Sequence, residues 1–333
     1  MSQVLNNNQQ VSPEDVQQMN DLLKSLNQQW ESVIVGQQDV CEKVMIALLA
    51  DGHVLLEGVP GLAKTLIIST LSKLLGSEYK RIQFTPDMLP SDIIGTQIYN
   101  AAKQTFEPKT GPIFAQFILA DEINRAPAKV QSALLEAMQE SQVTIGNATY
   151  QLPQPFFVLA TQNPIDQDGT YPLPEAQMDR FLFKTVLTYP TMSEEKEIIK
   201  RFQNGFPTIE NPVINMNQLN VIQQASKQIY IDDKVSEYIV RLINATRTPS
   251  EYGLNELSPY IRCGASPRAS ISFIAASKAY AFLQRRNYVI PEDIKYLAYD
   301  VLRHRLLLTF AAEAESMSAD KIIESILGNV EVP

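Results

Sequence analysis

The sequence is poor in the features that stabilise small secreted proteins or anchor membrane ones. Only two cysteines, Cys41 and Cys263, occur among 333 residues, far apart and without metal-ligand spacing. They indicate neither a disulfide framework nor a zinc site, and the plain expectation is a cytoplasmic chain with two buried thiols. No apolar run reaches the ~18–20 residues that a membrane-spanning helix needs. Residues 1–10 are polar and lack the basic-then-apolar order of a secretory signal. Positive charge is short as well: 28 basic residues stand against 37 acidic ones, a formal net charge of −9. Affinity for nucleic acid comes largely from neutralising phosphates, so this balance argues against nucleic acid as the main partner.

What is present is length enough for two cores. Residues 1–28 are rich in Gln and Asn. Ser12-Pro13-Glu14 reads as an N-cap and first turn, and Val16, Met19, Leu22, Leu23 and Leu26 form a helical stripe after it. A leader helix behind a frayed tip is expected, as a segment apart from a domain over 29–190 and another over 191–333. In the first domain, short apolar runs at 54–57, 80–84, 117–120, 156–161 and 181–189 alternate with helical patterns. That order predicts an α/β fold with a parallel sheet covered on both faces. After Thr191 the strand signals stop, and the helical spacing at 194–202, 216–227, 233–246, 267–285 and 291–304 predicts an all-helical second domain. Two excursions interrupt the first: residues 86–112, with a hairpin expected between 96–99 and 105–107, and a hairpin around Gly146-Asn147.

The sharpest motif is Gly58-Val59-Pro60-Gly61-Leu62-Ala63-Lys64-Thr65, directly between a strand and a helix that continues through Leu66. A phosphate cradle needs small residues that let backbone N–H groups turn inward, the positive end of a helix, a lysine and a hydroxyl for Mg²⁺. All are here in order, which predicts ATP and Mg²⁺ as ligands. The general pattern has Gly before the lysine, where this chain has Ala63; its methyl is expected to fit if φ there is negative. Some 60 residues on, an apolar strand ends in Asp121-Glu122, a pair suited to holding Mg²⁺ and polarising a water. Strand 156–161 leads into Gln162-Asn163-Pro164, where the Asn163 amide could sense a γ-phosphate; an ordinary Asn-Pro turn is the alternative. Arg180 precedes the last strand. Arg268 sits in the first turn of a helix capped by Ser266, where a cation opposes the macrodipole by up to about 1 kcal/mol unless something anionic is near.

Taken together these residues resemble the AAA+ ATPases, and within them the MoxR branch, over about residues 33–305. The most diagnostic stretches are Gly58–Thr65 with its Ala63, Asp121-Glu122-Ile123-Asn124-Arg125-Ala126-Pro127, and Glu175-Ala176-Gln177-Met178-Asp179-Arg180-Phe181. The resemblance implies an AAA+ core with a C-terminal helical lid. It gives Lys64 and Thr65 the phosphate and Mg²⁺ contacts, Asp121 and Glu122 the metal-orienting and water-activating roles, and Asn163 the first sensor. Arg268 becomes the second sensor, reaching down from the lid, and Arg180 an arginine finger acting on a neighbour's ATP. Val35 and Gly36 fall where the family contacts adenine, and the two excursions where it lines a central pore. It further implies a homo-oligomer, usually a hexamer, that remodels partner proteins, often ones with von Willebrand factor A domains. A magnesium-chelatase-like subunit, a DNA motor and a nucleotide-gated scaffold with little turnover remain the competing readings.

Overall fold

The computed structural model describes residues 13–59, 61–164 and 170–333. Ser12 with the expected frayed tip before it, and Pro60 of the Gly58–Thr65 loop, lie outside the described residues. The chain runs α1 (Pro13–Val33), α2 (Gln38–Leu49), β1 (Val54–Glu57), α3 (Lys64–Leu74), β2 (Tyr79–Gln83), α4 (Pro90–Ile94), β3 (Gly95–Asn100), β4 (Thr105–Thr110) and β5 (Phe117–Asp121). It continues with α5 (Ala128–Glu140), β6 (Gln142–Ile145), β7 (Ala148–Gln151), β8 (Phe157–Gln162), α6 (Glu175–Met178) and β9 (Phe183–Val186). The remainder is α7 (Met192–Asn204), α8 (Met216–Lys227), α9 (Asp233–Arg247), β10 (Ile261–Cys263), α10 (Pro267–Leu283), α11 (Pro291–Leu302), β11 (Leu307–Leu308), α12 (Phe310–Ala314) and α13 (Ala319–Asn329).

Five strands form one parallel sheet in the order β2-β5-β8-β1-β9. Because successive strand residues face opposite sides, each apolar run feeds two cores at once. Val54 and Leu56 of β1 pack on one side with Phe117, Leu119 and Phe157, while Leu55 packs on the other with Ile118, Ala120 and Val158. The second side is closed by α5 through Val130, Leu134 and Met138.

The first side receives α2, α3 and the leader. Leu23, Leu26 and Trp30 of α1 are buried there, and the Trp30 indole N–H donates to the Ile67 carbonyl at 3.2 Å. Burying one such leucine contributes roughly 1.5–3 kcal/mol, so the helix is held by its stripe. It runs unbroken past residue 28 to Val33.

The lid packs on the same side. Lys43 of α2, almost fully buried, reaches Asp300 of α11 at 3.4 Å and lies 3.3 Å from the centre of the Tyr296 ring. Thr185 of β9 donates to the same Asp300 at 2.8 Å. The lid departs from the all-helical expectation in one place, where β10 and β11 pair antiparallel over three and two residues. Both hairpins form as expected, β3 with β4 and β6 with β7. The thiol expectation is half corrected: Cys41 is buried, but Cys263, on the short β10, is exposed.

Candidate active site

The phosphate-loop residues leave the C-terminal end of β1, the strand flanked by β8 and β9. In a parallel sheet that end is where ligands are held, beside the N-termini of the following helices. Gly58 is buried and its N–H donates to the Gln162 carbonyl at 3.2 Å. A Cβ on Gly58 would come within 2.9 Å of the Leu187 Cβ, so only glycine fits between β1 and the chain leaving β9. Leu62 is buried in the core and anchors the loop from below, leaving only its backbone for a ligand; Val59 is half-buried against the same core, and Leu66 is partly exposed. Gly61 has φ +89° and Ala63 φ +56°. The condition set for Ala63, a negative φ, is therefore not met. The turn into α3 takes a left-handed residue there, at a cost of roughly 1–2 kcal/mol for a side chain with a Cβ. Such strain is characteristic of a loop shaped for a ligand.

Several features fit an anion at this spot. No side chain caps α3, and its first turn holds no acidic residue. Lys64, half-buried, folds back to donate to the loop's own Gly58 carbonyl. Partial burial lowers its ammonium from the ordinary value, while Asp121, Glu122 and Glu57 nearby pull the other way. Thr65 is exposed in the same turn, so its hydroxyl would be open to a cation. The chemistry of this donor set, with hydroxyl and carboxylate oxygens, suits Mg²⁺.

Asp121 and Glu122 end β5 at the same edge. The Thr161 hydroxyl, buried on β8, donates to Asp121 Oδ1 at 2.7 Å and accepts the Glu122 N–H at 2.8 Å. That bridge holds Glu122 in a left-handed backbone (φ 54°, ψ 50°), which turns its side chain out of the strand direction. Asp121 Oδ2 accepts from Arg81, with Nε at 3.1 Å and Nη2 at 2.5 Å. Glu122 Oε2 accepts from Gln83 and from Arg125, both at 3.0 Å. Arg81, Gln83 and Thr161 were not among the expected site residues. Arg81 and Gln83 alternate around buried Ile82 and so share a face of β2, a pattern visible in sequence but silent until β2 is paired with β5. Asn163 follows β8 directly, half-buried, and its carbonyl accepts from Asn124 at 3.3 Å.

Val35 and Gly36 lie in the turn between α1 and α2. Gln37 donates to the Thr188 carbonyl at 3.1 Å, and Gly36 lies against the Glu194 side chain in the first turn of α7. This segment therefore borders the chain that leaves β9 past Gly58, where a base could sit.

The two arginines are elsewhere. Arg180 and Arg268 line one cavity of about 330 Å³ with Gly52, His53, Leu182 and Arg305. Gly52 and His53 precede β1 and Leu182 precedes β9, so the cavity lies at the N-terminal edge of the sheet. Four residues of β1, about 13 Å of strand, separate it from the phosphate loop. Arg180 Nη1 donates to the Leu135 carbonyl of α5 at 2.7 Å, and its Nε is buried without a partner among the described residues. Arg268 is exposed. Arg268, expected to reach down from the lid, thus lies away from its own chain's phosphate loop. Its helix starts where Ser266 bonds to Asp179 at 2.8 Å, and that bond keeps it beside Arg180.

Comparison with known proteins adds the family. Residues 53–183 match the model described as ATPase family associated with various cellular activities (AAA), and residues 256–326 match the AAA lid domain. The chain is 48% identical over 301 residues to Chaperone MoxR1 of Mycobacterium tuberculosis, covering 90% of this chain and 80% of that protein. It is 30% identical over 321 residues to Protein MoxR of Paracoccus denitrificans, covering 90% and 93%. A crystal structure of a protein from Cytophaga hutchinsonii superposes with a TM-score of 0.91 at 50% identity, covering 96% of this chain and 97% of that one. Among the described residues no helix is long and apolar enough to cross a membrane.

Proposed function

Since the chain belongs to the MoxR family of AAA+ ATPases, we propose that it hydrolyses ATP with Mg²⁺ at sites shared between copies of itself. The observation that carries this reading is the split between the two ends of the sheet. The phosphate cradle, Asp121 and Glu122 lie at the C-terminal edge, whereas Arg180 and Arg268 lie at the N-terminal edge. A chain cannot bring its own arginines to its own phosphates across the width of its sheet. A ring in which each copy presents its N-terminal edge to the next copy's cradle does so, and such head-to-tail contacts close into rings. A hexamer in the cytoplasm, acting on partner proteins that include von Willebrand factor A domains, is the form this takes in our reading.

The residues divide the work by position. Backbone N–H groups from Gly61 to Thr65 and the Lys64 ammonium hold the phosphates, and Val35 with Gly36 border the base. Thr65 and Asp121 would hold Mg²⁺, which when bound supplies charge neutralisation on the phosphate oxygens. Glu122 orients and deprotonates the attacking water, with Gln83 and Arg125 holding its Oε2. Lys64 exchanges the Gly58 carbonyl for phosphate oxygens. Asn163 senses the γ-phosphate from the end of β8. Arg180 and Arg268 of the adjoining copy stabilise the developing charge. Hydrolysis moves the lid, and the β3–β4 and β6–β7 hairpins pass that motion to a client.

The reading is tested by ATPase activity per chain across a concentration series, with assembly mass followed in parallel. Activity is expected to rise in step with assembly. Constant activity per chain while mass increases would show that a single copy completes the site.

A further inference from the structure

Among the described residues Arg180 itself is held by little, with one hydrogen bond from its own guanidinium. The segment around it is held by a great deal. Arg305, just beyond α11, has a side chain only 2% exposed. It donates to Asp179 Oδ1 at 2.6 Å and to the main-chain carbonyls of Asp179 (3.3 Å), Phe181 (2.8 Å) and Leu182 (3.2 Å), so its contacts straddle Arg180 on both sides. It also bonds to Ser272 on α10 at 3.0 Å. His304, next in line and buried, shares the Phe181 carbonyl at 3.0 Å.

The second Asp179 oxygen accepts the Ser266 hydroxyl at 2.8 Å, and the same hydroxyl accepts the Arg268 N–H at 3.1 Å. One carboxylate therefore ties the chain before Arg180 to the helix start that carries Arg268, and one buried guanidinium fixes that carboxylate. A buried ion pair is a poor device for stability alone, because desolvation takes back most of what the attraction gives. Burial does lower Arg305 from the ordinary guanidinium range, and Arg268 close by acts in the same direction. A planar fork that reaches several acceptors at fixed angles is, however, a good device for geometry.

We infer that Arg305 and Asp179 form a positioning pair that holds Arg180 and Arg268 as one unit, set for the ATP of the neighbouring copy. The inference rests on the proposal that these arginines act across the boundary between copies. It adds two positioning residues to the site and makes the lid's own docking the element that aims them. Docking of the lid on its own core thus sets both arginines together at the next copy's nucleotide.

Asp179→Asn keeps the shape but weakens the charged contact, and Arg305→Lys keeps the charge but loses the fork. Both variants, in the full chain, are compared with wild type for kcat, KM for ATP, assembly mass and melting temperature. A drop in kcat on the order of 10²-fold is expected, since small misplacements of catalytic groups cost that much, with KM and assembly mass unchanged. Mixing Asp179→Asn with Lys64→Ala is expected to restore turnover, because Lys64→Ala copies carry correctly set arginines to intact cradles. If Asp179→Asn fails to fold, Ser266→Gly cuts only the tie to Arg268 at little cost to the helix cap, and a several-fold loss of kcat is expected at unchanged KM.

Wild-type kcat in these variants overturns the inference. So does a loss of kcat that merely follows loss of assembly and is not restored by Lys64→Ala copies. An Arg180→Ala and Lys64→Ala mixture run alongside separates the two levels. If that mixture recovers activity and the Asp179→Asn mixture does not, the positioning pair is wrong and the shared site stands. If neither recovers, the shared site itself is wrong.

Discussion

The two ends of the central sheet are built on different principles. At the C-terminal edge the groups are half-exposed, held by partners they can give up, and carried on strained backbone: Ala63 and Glu122 are both left-handed. At the N-terminal edge the anchoring groups are buried and multiply bonded, with Arg305, His304 and His53 packed beneath the cavity that Arg180 and Arg268 line. The first edge looks like a receptor that rearranges around a ligand, and the second like a rigid tool offered to another molecule. That contrast is what a shared site requires, since the arginines must arrive already aimed while the cradle must open and close.

Ways to break the contrast can be ranked by size. Arg180→Ala removes the tool. It should keep nucleotide affinity while assembly-dependent turnover falls by roughly 10³–10⁵, the range for an arginine supplied from outside; steady-state ATPase with parallel nucleotide titration measures both. Glu122→Gln acts on the receptor and should cost about 10²–10⁴ in turnover, as removal of a general base does, with ATP held at least as tightly. Normal single-turnover hydrolysis in that variant would remove Glu122 from the role.

The pH dependence of stability should belong to the rigid edge. His53 and His304, the only two histidines, are fully buried, and desolvation lowers both from the ordinary imidazole value, His304 strongly. They stay neutral in the fold while the unfolded chain takes up protons below about pH 6.5. Stability is therefore complete above that pH and falls as acid is added, by up to about 1.4 kcal/mol per pH unit for each histidine. Melting temperatures between pH 5.5 and 7 should show this slope, and His304→Gln should reduce it. The smallest effect is at the receptor: Ala63→Gly should gain about 1 kcal/mol by relieving the left-handed alanine, seen as a higher denaturant midpoint without nucleotide.

Much of this architecture is legible in the sequence because its signals are local. The runs at 54–57 and 117–120 are apolar and lead into a glycine or carboxylates, and strands appear at Val54–Glu57 and Phe117–Asp121. The hairpin at Gly146-Asn147 follows from its turn residues. The β10–β11 pair is not legible, since three residues and two carry no period. The C-terminal helix α13 carries its apolar stripe in Ile322, Ile323 and Ile326, yet it lies beyond the helices predicted here.

The site divides the same way. Gly58–Thr65, Asp121 and Glu122 declare themselves by motif. Arg81, Gln83 and Thr161 depend on which strands become neighbours, a long-range fact that no spacing encodes. The placement of Arg268 beside Arg180 depends on Asp179, Ser266 and Arg305 meeting across 126 residues of chain, as the distances show. A helix-capping serine before an arginine cannot reveal that.

The central claim is that the two edges serve two different nucleotides, and mixing tests it most directly. Lys64→Ala lacks a working receptor and Arg180→Ala lacks the tool, so each alone should be inactive. Combined in equal amounts and allowed to assemble, they should recover roughly a quarter of wild-type turnover, because half the cradles are intact and half of those adjoin an intact arginine in a head-to-tail ring. A mixture as inactive as its parts, with mixed assembly confirmed by mass, would contradict the account.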